Sequence, residues 1–200
     1  MTKSDSFNKL KEQEREARRD LIIAAAERVF STKSFNAVTI RDIAKEAGIS
    51  HALIYRYFPD QQSLFVEACI RRGAKIVEFI SKLIDDNNNI KIEKVTDLFI
   101  NFLVENDQYF RMMTHFMLDG SLSKEMIECL NIGERVLLDQ FDRIFVKVSS
   151  GKNVRMLSHA YFAAMNGIVI TFRNYPGRSR KEVMNHMQAL GKIIAAKFKQ

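Results

Sequence analysis

Apolar side chains return at every third or fourth position along most of the chain, the period of helices that each bury one face. That spacing predicts a first helix over 9–32, with Leu21, Ala24, Ala25, Val29 and Phe30 as its buried stripe, after a loose polar arm at 1–8. Two short helices follow at about 39–47 and 50–58. A longer one at 61–85 stops at the polar run Asp85-Asp86-Asn87-Asn88-Asn89. Further helices fit 91–105, 108–118, 122–148, 153–174 and 179–198, separated in part by Gly120, Ser149-Ser150-Gly151 and Pro176-Gly177. The fold class that follows is all-α. Short linked helices before residue 60 hold little core of their own. The expected organisation is a small N-terminal domain, 1–60, and a larger helical domain, 61–200, with the 61–85 helix tying the two together.

Composition supports this pattern and narrows it. Eight Gly and two Pro in 200 residues are too few for a sandwich or barrel of short strands. No apolar run approaches the roughly 18 residues of a membrane span, and Met1-Thr-Lys-Ser-Asp-Ser offers no apolar core for a signal peptide. Cys69 and Cys129 form no CxxC pair and suggest reduced thiols, hence a cytoplasmic protein with no membrane partner. The net charge of +7 admits nucleic acid, an anionic membrane surface or an anionic ligand without choosing among them.

The choice comes from one segment, Thr39 to Phe58. Thr39 followed by Asp42 has the spacing of a capping box, which opens a helix. Ile40, Ile43, Ala44 and Ala47 form its inner face, and Ala44 is small enough for a close helix crossing. Gly48 stands where a left-handed residue ends the helix, Ile49 plugs the turn, and Ser50 caps the next helix. Ile54 and Phe58, four apart, face inward. This is the spacing of a helix-turn-helix. The outer face then carries His51, Ala52, Leu53, Tyr55 and Arg56, with Tyr57 toward the edge and no acidic residue from Ser50 to Phe58. A solvated helix usually shows Glu and Lys on that face. Here Ala52 permits close approach to a groove floor, Arg56 and His51 can donate to base edges, and the tyrosine hydroxyls can reach phosphates. Upstream, Lys9, Lys11, Arg15, Arg18 and Arg19 suit either an arm reaching DNA or a solvated face, because acidic residues alternate with them.

These residues resemble the tetracycline-repressor (TetR) family of bacterial regulators. The likeness runs from about Leu21 to Leu64, through Ile23-Ala24-Ala25-Ala26, Ile43-Ala44-Lys45-Glu46-Ala47-Gly48-Ile49-Ser50 and Ile54-Tyr55-Arg56-Tyr57-Phe58. The resemblance implies three N-terminal helices that bind double-stranded DNA, and a larger domain that binds a small effector and dimerises through the last two helices. It places phosphate contacts on Thr39, Tyr55 and Tyr57, and base-reading positions on His51, Ala52, Leu53 and Arg56. With Arg41, Ser50 and Gln61 these make up the candidate DNA-contact set. The chain departs from the family pattern at four positions. Ser34 and Ala52 stand where the family favours Gly, Leu53 replaces a small or hydroxyl residue, and Gln61 replaces a phosphate-binding Lys.

In the larger domain Phe99, Phe102, Met112, Met113, Phe116, Met117, Tyr161, Met165, Asn166 and Phe172 are the candidate effector-lining residues. Met and Phe make adaptable apolar walls, so the implied effector is mostly apolar. Arg111, His115 or Arg173 would meet any acidic group on it. A second face of the 153–174 helix, Ala160, Ala163, Gly167 and Ile170, and the two-sided apolar pattern of 179–198 suit a homodimer interface. The sequence shows no Gly-rich phosphate loop, GxSxG or HExxH, and its four His are scattered, so neither an enzyme nor a cofactor is expected. The leading reading is a ligand-responsive transcription regulator, more often a repressor, acting on a pseudo-palindromic operator. The rival is a helical ligand carrier or enzyme whose helix-turn-helix makes protein contacts only. A third is an architectural DNA protein without an effector.

Overall fold

The structure is a computed structural model that describes residues 3–33, 35–86, 91–119, 123–148 and 153–198. The described residues form helices and no strands: α1 (Lys3–Thr32), α2 (Ile40–Ala47), α3 (His51–Tyr55), α4 (Gln61–Asp85), α5 (Ile92–Glu105), α6 (Asp107–Asp119), α7 (Lys124–Val148), α8 (Val154–Phe172) and α9 (Arg180–Lys197). A single 3-10 turn, Phe35–Ala37, leads into α2. The all-α class read from apolar spacing is therefore observed.

Two elements differ from the sequence reading. The expected arm at 1–8 is helical from Lys3 onward. Neither Gly nor Pro interrupts residues 3–32, and side chains one turn apart support one another, with Arg18 on Glu14 at 2.5 Å and Lys11 over the Phe7 ring at 4.5 Å. The third helix is shorter than the expected 50–58. Pro59 disfavours helical backbone at Phe58. The chain closes instead with two bonds to one acceptor, the Tyr57 and Phe58 N–H groups both donating to the Ile54 carbonyl at 2.9 Å. The breaks expected at Gly120 and Ser149-Ser150-Gly151, the polar run at 87–89 and the departure at Ser34 lie outside the described residues.

The chain divides into two compact units. The first takes in Met1–Arg71 and Arg111–Leu130, the second Arg72–Phe110 and Asn131–Gln200. α4 is one unbroken helix that contributes to both. In the first unit α1 and α4 meet through Phe30 and Phe65, edge to face at 4.9 Å, and Ile22, Ile23, Leu64 and Ala68 of the same two helices are buried. In the second, α5 packs on α8 and α9, and Phe99, Phe141, Phe145 and Tyr161 fill the centre with rings 5.2–5.6 Å apart, mostly edge to face. Cys69 is buried, Cys129 is exposed, and they are not bridged. No described helix is long and apolar enough to cross a membrane.

Candidate nucleic-acid interface

The helix-turn-helix is set by three local devices, each visible as a residue type. Thr39 accepts the Asp42 N–H at 3.1 Å, and the Asp42 carboxylate accepts the Thr39 N–H at 3.0 Å and its hydroxyl at 2.9 Å. These bonds, with Lys33 at 3.3 Å, hold the Asp42 carboxyl below its usual range. Gly48 ends α2 at φ +68°, a conformation that an L side chain adopts only with strain, and the following N–H returns to Ala44 at 3.0 Å. Ser50 caps α3 by accepting the Leu53 N–H at 3.3 Å. Ile54 and Phe58 then point inward, 0% and 2% exposed, against the first unit's core.

With those anchors buried, the opposite face of α3 is fixed. His51, Ala52, Tyr55 and Arg56 are exposed, while Leu53 and Tyr57 are half-buried. Between the start of α2, the face of α3 and the start of α4 lies an open groove of about 790 Å³. Thr39, Arg41, His51, Tyr55 and Gln61 of the candidate set line it, with Ile40, Pro59 and Asp60. Ser50, Ala52, Leu53, Arg56 and Tyr57 are outside that lining. An anion entering the groove meets donors from Arg41, His51, Tyr55 and Gln61. Thr39 is less available than its sequence position suggested, because its hydroxyl hydrogen is already given to Asp42.

Two features of this site were not read from the sequence. Asp60 puts a carboxylate in the groove and caps α4, accepting the Ser63 N–H at 2.7 Å. Its position three residues before Ser63, at the start of an apolar-periodic run, was the available signal. The second is Arg19. Its guanidinium lies 4.8 Å over the Phe58 ring and 3.0 Å from Glu67 of α4, so the buried end of the recognition segment has a cation seated on it. Only the geometry reveals this, since acidic and basic residues interleave along α1 from Lys9 to Asp20.

The candidate effector-lining residues fall in both compact units. Met112, Met113 and Met117 belong to the first unit, Met112 buried and Met117 exposed, and the Phe116 and His115 side chains lie outside the described residues. Phe99, Phe102, Tyr161, Met165, Asn166 and Phe172 belong to the second. Phe99, Tyr161 and Met165 are packed into its core. The Tyr161 hydroxyl pairs with Thr96 Oγ1 at 2.9 Å, and burial pushes the phenol's pKa well up. Phe102 stacks near Phe79, Phe172 meets His186 edge to face at 5.0 Å, and Asn166 donates to the Phe162 carbonyl at 2.8 Å. Arg173 pairs with Asp107 and lies 5.4 Å over Phe110, and desolvation lowers its pKa. Arg111 is exposed.

Residues 22–68 match the family described as bacterial regulatory proteins, tetR family. An uncharacterized HTH-type transcriptional regulator of Haemophilus influenzae is 30% identical over 104 residues, half of each chain. The nucleoid occlusion factor SlmA of Marinomonas is 22% identical over 121 residues, 60% of this chain and 61% of that one. The chain thus spans about half to three fifths of the length of these curated relatives. Among solved structures, FadR of Bacillus subtilis in complex with stearoyl-CoA superposes with a TM-score of 0.73 at 17% identity, over 90% of this chain and 97% of that one. FadR of Bacillus halodurans gives 0.75 at 14%, over 89% and 94%. At these identities the superpositions establish the fold, an N-terminal helix-turn-helix followed by a helical domain.

Proposed function

We infer from residues 22–68, which belong to the tetR family of bacterial regulatory proteins, that the chain is a ligand-responsive transcription regulator acting as a repressor. It binds a pseudo-palindromic duplex as a homodimer, and a mostly apolar small molecule releases it. One observation carries the reading: His51, Ala52, Tyr55 and Arg56 are presented to solvent by a helix whose other side is locked inward by Ile54 and Phe58. That face has the small, hydrogen-bonding and cationic groups that a major groove accepts. Tyr55, Arg41 and Gln61 in the adjoining groove serve the phosphates, and Arg56 and His51 serve the bases.

A two-fold dimer places two such faces in successive major grooves, about 34–36 Å apart or a multiple of it. The surface offered for dimerisation is on α8 and α9. Ala160, Ala163, Gly167 and Ile170 are exposed along one side of α8, and Ala189, Ile193 and Ala196 along one side of α9. α4 is the natural carrier of the effector signal, since it is one continuous helix from Gln61 to Asp85. An effector preferring the non-binding arrangement 100-fold supplies about 2.7 kcal/mol of coupling. An apolar ligand suits the Phe- and Met-rich second unit, and a protein of the same fold holds stearoyl-CoA. Long-chain acyl thioesters and free fatty acids are therefore the first probes. On this reading the protein works at the chromosome, in the cytoplasm.

The test is selection of duplexes from a random pool at low salt. An enriched pseudo-palindrome with half-sites a whole number of turns apart is expected. No enrichment overturns the reading in favour of a carrier. Enrichment that no probe in the effector series alters favours an architectural DNA protein.

A further inference from the structure

Two ion pairs join α1 to α4 with opposite polarity. On α1 the neighbours are Arg19 and Asp20. On α4 the partners, one turn apart, are Glu67 at 3.0 Å from Arg19 and Arg71 at 2.6 Å from Asp20. These side chains are only partly exposed, from 29% for Arg19 to 54% for Asp20. A slip of α4 by one turn, about 5.4 Å, puts Arg71 against Arg19 in one direction and Glu67 against Asp20 in the other. The buried Phe30–Phe65 contact already favours one register of α4 on α1, and the charge pattern adds to that discrimination at the helix surface. Arg19 also lies over the Phe58 ring, at the buried end of the recognition segment. The same guanidinium therefore touches α4 and the anchor of α3.

We propose that Arg19, Asp20, Glu67 and Arg71 form a register clamp that fixes α4 on α1 and, through the Arg19 stack on Phe58, sets the pose of the recognition helix. All four are positioning residues, and the assignment rests on the DNA-binding reading above. It implies that the first part of α4, up to Arg71, travels with the helix-turn-helix as one body.

The test keeps net charge constant. The exchange Glu67→Arg/Arg71→Glu sets like charges against α1, and the further exchange Arg19→Glu/Asp20→Arg restores complementarity in the reverse sense. Amide exchange at Tyr57 and Phe58 is read first, in the full chain without DNA. The α4 exchange is expected to speed it about fivefold, the scale of two exposed pairs lost and two weak repulsions gained. The fourfold exchange is expected to return part of that protection, short of the original because the Phe58 stack is lost. Affinity for the duplex selected by the unaltered protein is read second, beside a random duplex of equal length. The α4 exchange is expected to weaken the selected duplex about fivefold more than the random one. Unchanged protection at Tyr57 and Phe58, no recovery in the fourfold exchange, or equal weakening of both duplexes each overturns the clamp. If the unaltered protein selects no duplex, the DNA reading fails by itself, and the amide exchange still decides whether the register clamp exists.

Discussion

Tyr55 ends α3 and Arg56 follows as its C-cap, both exposed, and the DNA-binding reading gives them different tasks. Tyr55 lines the groove with Arg41, His51 and Gln61, whereas Arg56 lies outside that lining on the side turned from Ile54. On the DNA-binding reading the Tyr55 hydroxyl serves the duplex backbone, which is the same on every sequence. Tyr55→Phe is expected to lower affinity for all sequences by about 1 kcal/mol, the worth of one hydrogen bond. Arg56→Ala is expected to cost about 1–3 kcal/mol on the selected duplex and to relax preference at particular base pairs. Parallel titrations of both variants on matched and mutated duplexes separate the two, and a swap of these outcomes would reverse the assignment. Much of this site was legible because cap and turn residues are local. Thr39, Asp42, Gly48 and Ser50 each do in the structure what their type does at that spacing. Asp60 and Arg19 were not, for opposite reasons: Asp60 acts locally but hides behind Pro59, and Arg19 acts on Phe58, 39 positions away in sequence.

Helix existence and most helix bounds were written in the apolar period, and the lengths of α1 and α3 were not. α1 begins at Lys3, and Lys11 one turn on from Phe7 supports this exposed stretch, a kind of pair to which apolar periodicity is blind. Nor does spacing say which apolar residues are core and which line a cavity: Phe99, Tyr161 and Met165 read alike in both roles, and the structure packs all three. The close packing of α5 on α9 was also invisible. It runs over Gly191, where a Cβ would lie 2.6 Å from Thr96 Cγ2 and 2.7 Å from Ile100 Cδ1. Thr96 is wholly buried, its hydroxyl held by the Ile92 carbonyl at 2.8 Å and by Tyr161, so it has little room to give. Gly191→Ala is expected to destabilise the second unit by about 1–3 kcal/mol through overpacking, despite the better helix propensity of Ala; urea unfolding measures it. Tyr161 of α8, paired with Thr96, gives the second unit a pH dependence. Its folded-state pKa is raised above the ordinary 10.0 because burial penalises the phenolate. The stabilisation is fully present below that value and is lost as pH rises beyond it, since only the unfolded chain ionises readily. Tyr161→Phe is expected to cost about 1 kcal/mol at neutral pH and to flatten the stability profile above pH 10 relative to the parent, whose buried Cys69 adds a similar alkaline loss.

At the scale of the whole molecule the question is whether affinity belongs to one chain or two. One recognition segment of five helical residues offers few base contacts. A single module also gains little from phosphates at physiological salt, where each neutralised phosphate contributes to a steep salt dependence. A dimer that neutralises about four phosphates per protomer gives a slope of log affinity on log salt near −7, about twice that of one chain alone. In the proposed dimer that doubling arises at the exposed small and apolar faces of α8 and α9, where Ile170 and Ile193 are half or more exposed. Ile170→Asp/Ile193→Asp adds charge to a surface that is already solvated in one chain, so the fold of each unit is expected to survive. In a dimer the same carboxylates would be buried without partners, which costs several kcal/mol. Sedimentation is expected to show a monomer with unchanged helical content, and the salt slope on the selected duplex to fall toward half. A variant that still sediments as a dimer moves the interface elsewhere, and a monomer with the full slope would mean that two chains assemble on the DNA itself in one binding event.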